Sequence, residues 1–367
     1  MIRKNSVLHL LAAIGSGLLL GAAAAPADIF RCDLPVPTGA AANHGAAIAE
    51  LPSGALLACW FSGTHEEDRS VRILCSRGDG DGEHWSSPWT AVAPGDQAVG
   101  AAAPDKSLGN VTLTVTPDGR VWMIHGVIQS LMWPVIGEVC HNWACGRIDA
   151  RVSADEGRTW STATRLVDIN GALPRAELQP VPGGYLAPIY EENDQRSVIA
   201  LVTLTGDNAA LLDLWPLDGP KLIQPALVKE ANGRFRVYFR DQQRQGVYTA
   251  EFDPAAGAWS AVTLTNLPNP GSAVDVFQDD RGGTVLIYNP SPTSRDVLAL
   301  ARTTDGSTFS PGCQLSLPGQ DSTAAYPSVI RGRDGAWRVV YSANDKGKIK
   351  FVRFTSAWLE KCFSAQA

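Results

Sequence analysis

Apolar and polar positions along this chain repeat in one pattern. An apolar run of strand length leads into a tight turn with glycine, and a second apolar run then ends in a polar loop, as in residues 47–61 and 113–124. The pattern occurs six times, with turn glycines Gly54, Gly119, Gly183, Gly233, Gly282 and Gly335. Most of these turns contain Asp-Gly, Asn-Gly or Gly-Gly, which tolerate the positive φ of a tight hairpin. The pattern therefore predicts six antiparallel hairpins.

Each hairpin is followed by a third apolar run, for example residues 71–75 and 147–152. Successive turn glycines lie 65, 64, 50, 49 and 53 residues apart, which suits a sheet of about four strands in each repeat. Helical periodicity is missing almost everywhere, which excludes an array of helical repeats. We therefore expect an all-β fold, a six-bladed β-propeller of four-stranded antiparallel blades. Residues 28–32 would close the ring as an outer strand of the last blade, because an open blade exposes a sheet edge.

The first 27 residues have the pattern of a secretory signal peptide. Arg3 and Lys4 precede an apolar stretch over residues 8–20, and the small residues of segment 21–27 suit a cleavage site. The alternative is a membrane anchor, although the stretch is shorter than the ~20 residues of a spanning helix. We expect a secreted or periplasmic protein without membrane insertion after cleavage, and a single propeller domain over residues 28–367.

Composition narrows the classes of partner. The chain has 31 Lys and Arg against 37 Asp and Glu, a formal net charge of −6. Such a chain has no overall positive field to attract nucleic acid or an anionic membrane surface, so neither is an expected partner. A zinc site at His141 with Cys140 and Cys145 lacks a second ligand pair at suitable spacing. We expect no cofactor, no metal and a monomeric protein.

The seven cysteines suit an oxidising compartment, although their number is odd. Cys140 and Cys145 are close enough in sequence to bridge, with two free thiols as the alternative. Cys59 and Cys75 lie in apolar runs, where they are equally well explained as buried hydrophobic residues. The remaining cysteines could join the two ends of the chain; they are Cys32, Cys313 and Cys362.

A second signature follows the third run of the repeat. Residues 153–160 have the form Ser-x-Asp-x-Gly-x-Thr-Trp, and looser copies occur at residues 76–85 and 303–309. In this pattern the Asp accepts backbone hydrogens across the turn and the Trp packs between strands. The signature, in register with six repeats, resembles the Asp-box of the bacterial neuraminidase repeat. The chain is thus similar to sialidase-like propellers over nearly its whole mature length, as a divergent member of that superfamily.

Polar side chains recur about ten residues before each turn glycine, where the innermost strands of a propeller open on one face. These residues are His44, Asn110, Arg175, Gln224, Ser272 with Asp275, and Tyr326. The loops after the second strands add further polar residues, among them His65 to Asp68, Tyr190, Glu191, Arg240 and Arg295. If this end of the axis were only filled by packed side chains, apolar residues would be sufficient there. The polar residues therefore predict a polar pocket on the axis.

The resemblance implies roles for these residues. Sialidases use a Tyr nucleophile, which a neighbouring carboxylate must activate because a free phenol has a pKa of ~10. Tyr326 stands where the family's tyrosine is expected, and the acid/base carboxylate would be Asp68 or Glu67. Glu177 or Glu191 would activate the tyrosine. The candidates for binding the substrate are Arg175, Arg240, Arg295, Asn110, Gln224, Asp275 and Tyr190.

One residue departs from the family pattern. His44 stands in the sequence Asn-His-Gly-Ala, where sialidases carry the first arginine of the group that holds the substrate carboxylate. A histidine can donate a hydrogen bond or act as acid or base, but it cannot form the two-pronged contact of a guanidinium.

Three functions remain open at the level of sequence. The leading hypothesis is a secreted exo-acting glycoside hydrolase for terminal sialic acid or a related acidic sugar. A glycosidase or lyase for uronic-acid polysaccharides, with His44 and Tyr190 or Tyr326 as base and acid, is the second. A glycan-binding propeller without turnover is the third. Each assignment also has a structural alternative, such as a packed Tyr326 or a solvated charge run at residues 66–68.

Overall fold

A computed structural model describes residues 28–101, 103–133, 135, 137–140, 142–317 and 319–364. The predicted signal peptide lies outside these residues. Within the described ranges, no helix is both long and apolar enough to cross a membrane.

The chain is built almost entirely of short strands. In chain order these are β1 (Ile29–Asp33), β2 (Ala42–Glu50), β3 (Leu56–Gly63), β4 (Arg72–Gly78), β5 (Trp89–Val92), β6 (Asp105–Val115), β7 (Val121–Gln129), β8 (Leu131–Trp133), β9 (Gly137–Cys140), β10 (Gly146–Ser153), β11 (Thr164–Val167), β12 (Ala172–Pro174), β13 (Gln179–Val181), β14 (Gly184–Glu191), β15 (Arg196–Thr205), β16 (Asn208–Pro216), β17 (Leu222–Lys229), β18 (Phe235–Asp241), β19 (Val247–Asp253), β20 (Ala258–Trp259), β21 (Thr263–Leu264), β22 (Asp275–Gln278), β23 (Thr284–Tyr288), β24 (Ala299–Thr303), β25 (Ser310–Gln314), β26 (Ala324–Arg331), β27 (Trp337–Ala343) and β28 (Lys348–Phe354). The helical segments are a 3₁₀ turn at Trp143–Cys145 and helix α1 at Ser356–Ser364.

The strands form six antiparallel blades, as the repeat predicts, and β8 and β9 pair in a separate two-stranded sheet. From the innermost strand outward, the blades are β2-β3-β4-β5, β6-β7-β10-β11, β12/β13-β14-β15-β16, β17-β18-β19-β20/β21, β22-β23-β24-β25 and β26-β27-β28-β1. Each innermost strand contacts those of the neighbouring blades, so the sheets form a ring about one axis. The predicted six-bladed β-propeller is confirmed.

The ring closes through the pairing of β1 with β28. Ile29 lies opposite Phe354 and Asp33 opposite Lys350, which makes the first strand of the chain the outer strand of blade 6. This pairing removes the free edge that β28 would otherwise expose.

The six turn glycines all have the backbone conformation expected of them. Their φ angles lie between 77° and 89°, in the left-handed region that glycine enters without a steric penalty. The predicted hairpins are therefore present with the predicted turn chemistry.

The apolar core lies between blades rather than at one centre. Phe61 and Leu57 of blade 1, for example, pack against Val111 and Met123 of blade 2 in one buried cluster. Burial of both faces of each sheet explains why many strands are continuous apolar runs rather than alternating ones.

The turn over residues 153–160 is organised by Asp155. Its carboxylate accepts hydrogen bonds from the Thr159 backbone and hydroxyl at 2.9 and 2.7 Å and from the Ser153 hydroxyl at 2.7 Å. Trp160 packs against the core between blades 1 and 2. This geometry accounts for the residue types of the sequence signature.

The disulfide pairing of the cysteines differs from the alternatives that the sequence left open. Cys59 and Cys75 face each other on β3 and β4 and form a disulfide, so they are not simply buried hydrophobic residues. A second disulfide joins Cys313 to Cys362 and ties β25 to α1, while Cys32 is a free thiol. Cys145 is also disulfide-bonded. The side chain of Cys140, its predicted partner, lies outside the described part of the chain.

Candidate active site

Irregularities in the innermost strands direct polar side chains toward the axis. Pairing of the innermost with the second strand shifts register beside His44, Asn110, Gln224 and Tyr326. A bulge of this kind bends the strand and re-aims a side chain, and such bulges are frequent next to active sites. In blade 3 the innermost strand is split into β12 and β13, and Arg175 lies in the gap.

These side chains surround a cavity of about 230 Å³ on the propeller axis. Seven of the predicted site residues line it: His44, Asn110, Tyr190, Gln224, Arg240, Arg295 and Tyr326. The other lining residues are Phe61, Glu66, Trp143, Glu192 and Lys346. The predicted polar pocket is therefore present, with more carboxylate and aromatic groups than the sequence indicated.

Tyr326 is the centre of the hydrogen-bond network. Its hydroxyl oxygen accepts from Arg240 Nη1 at 2.8 Å and from Gln224 Nε2 at 3.3 Å. Gln224 Nε2 also lies 3.4 Å from the hydroxyl of Tyr190, and Asn110 Nδ2 lies 3.2 Å from the same hydroxyl. The two tyrosines thus share a glutamine donor.

Two further arginines lie beside the ring of Tyr326. The guanidinium carbons of Arg175 and Arg295 are 5.2 and 5.7 Å from its centroid, within the range of cation–π contact. Arg175 donates to the carbonyl of Pro327 at 2.6 Å and Arg295 to that of Gly271 at 2.6 Å, which fixes both.

This positive surround changes the acidity of the phenol. Burial by itself raises the pKa of Tyr326, but the charges of Arg240 and Arg295 and the Gln224 hydrogen bond outweigh it and hold the pKa below its usual value. The phenolate, the nucleophilic form, is stabilised by arginines rather than by a neighbouring base.

His44 is packed against the tyrosine. The two ring centroids are 4.1 Å apart, and His44 Nδ1 lies 2.8 Å from the Ser342 hydroxyl. Burial, reinforced by the nearby charges of Lys346 and Arg175, holds the pKa of His44 well below its usual value. The imidazole is therefore neutral at neutral pH.

Two carboxylates to which the sequence analysis assigned no catalytic role reach the cavity. Glu66 Oε2 lies 3.0 Å from Lys346 Nζ, and Glu66 Oε1 lies 3.9 Å from His44 Nε2. Glu192 is held by Gln195, whose amide donates to its carboxylate at 3.3 Å. Burial raises the pKa of Glu192 even though the charge of Arg240 opposes the change, so this carboxyl keeps its proton to a higher pH than a free one.

The predicted acid/base residues on the loop after β3 have other contacts. Asp68 accepts from the Ser70 backbone at 2.8 Å and the Thr64 hydroxyl at 2.9 Å. The hydrogen bond with the Ser70 side chain, together with these two, holds the pKa of Asp68 below its usual value. A carboxylate kept ionised in this way is poorly suited to donate a proton. Glu67 accepts from the Trp143 backbone at 3.1 Å and so positions the aromatic wall of the cavity.

The structure does not bring the predicted activators to Tyr326. Glu191 alternates with Tyr190 along β14 and forms an ion pair with Arg196 at 2.8 Å. Glu177 lines a separate cavity at the hairpin-turn end of the axis, where burial and the charge of Asp275 raise its pKa to about 8. Both carboxylates lie outside the pocket of Tyr326, so their assignment as activators is corrected.

Asp275 lies outside the cavity and stabilises the backbone beside it. It accepts from the backbone N–H groups of Val276 and Val329, each at 2.9 Å, and is almost fully buried. It therefore fixes the segment after Tyr326 instead of lining the cavity that would hold a ligand.

The missed residues differ in the signal they offered. Glu66 lies in the charge run that the sequence had marked, and Glu192 is one residue beyond a predicted site residue. Lys346 and Trp143 carry no local pattern that separates them from surface positions. Within the described ranges, no group of three or more His, Cys, Asp or Glu is arranged to hold a metal ion.

Comparison with known structures matches the propeller to sialidases. The NanB sialidase of Streptococcus pneumoniae gives a TM-score of 0.64 at 12% identity, over 88% of this chain and 70% of that one. The intramolecular trans-sialidase of Ruminococcus gnavus gives 0.67 at 13%, over 90% and 98%. A protein of unknown function from Dyadobacter fermentans gives 0.68 at 12%, over 89% and 98%. At these identities the likeness concerns the fold.

Comparison at the level of sequence gives the family. No curated protein matches the sequence of the chain significantly. The model of the BNR repeat-like domain matches residues 54–339, which is most of the propeller. Six blades with a sialidase-like architecture and this match together show that the chain belongs to the BNR repeat-like domain family.

Proposed function

We propose that this protein is an exported glycoside hydrolase that releases a terminal acidic sugar, with sialic acid as the first candidate substrate. The observation that carries the proposal is the phenol of Tyr326 in the cavity, bonded to Arg240 at 2.8 Å and with Arg295 beside its ring. An acidic sugar would find both a nucleophile and cationic partners in one place.

The pocket suits one sugar residue. Its volume of about 230 Å³ is below the range of about 300–1,000 Å³ that is common for larger ligands. Phe61 and Trp143 supply apolar surface, with ring centroids 6.1 Å apart, and Arg240, Arg295 and Lys346 supply positive charge. These features favour exo action on an anionic terminal sugar.

The residues suggest a two-step displacement. The Tyr326 phenolate would attack the anomeric carbon, and the bond to the aglycone oxygen would break as that oxygen takes a proton from the Glu192 carboxyl. Water would then attack the anomeric carbon, give a proton to the Glu192 carboxylate and release the Tyr326 phenolate. Glu192 takes the acid/base role here because burial favours its protonated form.

A lyase acting on uronic-acid polysaccharides is the second candidate, and a specific contact favours it. The neutral imidazole of His44 lies against Tyr326, with ring centroids 4.1 Å apart. His44 would take the proton next to the uronate carboxylate, and the Tyr326 hydroxyl would give a proton to the leaving oxygen, leaving a carbon–carbon double bond in the product.

Export is part of the proposal and rests on the sequence pattern of residues 1–27. The disulfides Cys59–Cys75 and Cys313–Cys362 support it, because such bonds persist in oxidising compartments.

The test is an assay of the exported protein on sialoside reporters of several linkages. We expect release of free sialic acid and a loss of at least about 10³-fold in Tyr326→Phe, because the nucleophile is removed. Tyr248→Phe is the matched control, since that hydroxyl contacts Gln245 on the outer part of blade 4. Absence of release from every sialoside would refute sialidase activity, and an unsaturated, ultraviolet-absorbing product from a polyuronate would establish the lyase.

A further inference from the structure

Lys346 reaches the cavity from an unusual backbone segment. Asn344, Asp345 and Lys346 have φ angles of 54°, 51° and 70°, three consecutive non-glycine residues in the left-handed region. Asparagine and aspartate tolerate this region better than lysine does, and backbone strain of this kind concentrates at functional sites. The β27–β28 hairpin thus adopts a strained shape whose consequence is to present one lysine to the pocket.

Hydrogen bonds from several segments hold this turn in place, among them one at 3.0 Å from the Asn344 backbone to the Thr323 carbonyl. The Lys346 carbonyl accepts from the Asn43 backbone at 2.7 Å, and the Asn344 carbonyl accepts from Gly347 at 2.9 Å. The Asn344 side chain accepts from Ser322 at 2.8 Å, and the Asp345 backbone donates to Thr323 at 2.7 Å. The bond to Asn43 ties the turn to the residue next to His44, so lysine and histidine are positioned together.

The charges of the pocket are divided between two sides. Arg240 donates to the Tyr326 hydroxyl, Arg175 donates to the Pro327 carbonyl, and Arg295 donates to the Gly271 carbonyl. On the His44 side the imidazole is neutral, and the charge that acts most strongly on it is that of Lys346, ahead of those of the arginines. A carboxylate that approaches this side therefore meets a cation that is not committed to the tyrosine.

A carboxylate already occupies this position in the free protein. Glu66 places one oxygen 3.0 Å from Lys346 Nζ and the other 3.9 Å from His44 Nε2. The side chains of Glu66 and Lys346 are 29% and 35% exposed, so both can be reached from the cavity mouth. Glu66 shows where the carboxylate of a ligand would bind.

We propose that Lys346 is the specificity-determining residue for the carboxylate of an acidic sugar. In the free protein Glu66 pairs with Lys346, and the carboxylate of the sugar displaces Glu66 when the sugar binds. The inference rests on the proposed function for the class of ligand. The exchange replaces one carboxylate on Lys346 by another, and the displaced carboxylate of Glu66 turns toward water. Lys346 supplies the positive charge at this position, because His44 is neutral.

The test is calorimetric binding of sialic acid and of glucuronic acid, each compared with its methyl ester, which keeps the ring and removes the charge. We expect the intact protein to bind one of the acids at least about tenfold more tightly than its ester, a difference of ~1.4 kcal/mol. Lys346→Met should bring the two affinities within about twofold, and Lys346→Arg should keep the preference. Glu66→Gln should tighten binding of the acid because it removes the competing carboxylate.

Lys348→Met is the matched control. Lys348 is on the same hairpin but pairs with Asp33 at 2.6 Å, away from the cavity, so its loss should leave the preference unchanged. Thermal melts of each variant establish that it is folded, and the conservative Lys346→Arg keeps the test decisive if Lys346→Met is unstable.

The outcomes separate this inference from the proposed hydrolase. Equal binding of acid and ester by the intact protein, or a Lys346→Met protein that keeps the preference, overturns the role of Lys346. Weaker binding of the acid by Glu66→Gln overturns the exchange. A preference that depends on Lys346 in a protein that hydrolyses no glycoside supports the inference and refutes only the hydrolase.

Discussion

Tyr326 combines strain, burial and charge at a single position. Its φ of 59° is in the left-handed region and its side chain is 8% exposed. Bonds from Arg175 to the Pro327 carbonyl and from the Val329 backbone to Asp275 hold the residues that follow it. Arg175 and Asp275, both predicted to contact substrate, are better described as positioning residues for this tyrosine.

The acidity of Tyr326 gives a prediction at the scale of one residue. In Arg240→Met the phenol loses the positive charge 2.8 Å from its oxygen, so its pKa should rise above that of the intact protein. Spectrophotometric titration of tyrosine measures this change, and Tyr326→Phe identifies the band. Arg234→Met, which removes an exposed arginine paired with Glu251 on the same blade, should leave the titration unchanged. An unaltered Tyr326 titration in Arg240→Met would contradict the electrostatic explanation.

The innermost strands show how one element serves both packing and the site. The hairpin-turn ends of these strands repeat with the glycine turns, whereas the opposite ends carry the bulges that direct His44, Asn110, Gln224 and Tyr326 inward. The repeat therefore marks the position of the site, and the local irregularity sets its geometry.

The bulge of β2 gives a prediction at the scale of an element. Gly45 has φ 61°, and a Cβ there would lie 2.8 Å from Asn110 Oδ1 and 3.0 Å from Phe61 Cε1. Gly45→Ala should therefore cost about 1–2 kcal/mol for the backbone and more for the contacts, and should weaken activity by shifting Asn110. Gly39→Ala is the matched control, because Gly39 has φ 86° and open space around its Cβ position. Urea unfolding measures both, and equal losses would show that the contacts at Gly45 do not matter.

At the scale of the whole molecule, the ring contains carboxyl groups with raised pKa values. Burial raises the pKa of Asp275 to about 6 and that of Glu177 to about 8, from ordinary values of 3.8 and 4.5. Asp105, in blade 2, is raised to about 6 by burial and the charge of Asp149. The folded protein binds more protons than the unfolded chain between these values, so its stability falls as pH rises through them.

Glu177 gives a prediction about the stability of the whole ring. Glu177→Gln, which stays neutral, should lose less stability than the intact protein between about pH 5 and about pH 8. Melting temperatures at the two pH values measure this, with about 1–2 °C expected for each kcal/mol in a ring of this size. Glu83→Gln, at an exposed position on a blade 1 turn, serves as control. The same pH-dependent decline in Glu177→Gln and the intact protein would contradict the prediction.

Sequence alone determined the ring and most of the groups around Tyr326. Strand periodicity and turn chemistry are short-range properties, so they can be recognised in the sequence. The glycine turns gave the number of blades. The positions about ten residues before these glycines gave His44, Gln224 and Tyr326. The arginines at 240 and 295 were predicted separately, from the polar loops that follow the second strands.

Only the tertiary structure decided which of several neighbouring charged residues serve the pocket. Glu66 faces the cavity while Asp68 bonds within its own loop, and Glu192 faces it while Glu191 pairs with Arg196. The direction of each side chain is set by the alternation of side chains along a strand, by bulges and by loop closure. These effects change within one or two residues. Tyr326 and Lys346 acquire their partners from distant blades or loops, and burial then sets which groups carry charge; neither effect is present in a local sequence pattern.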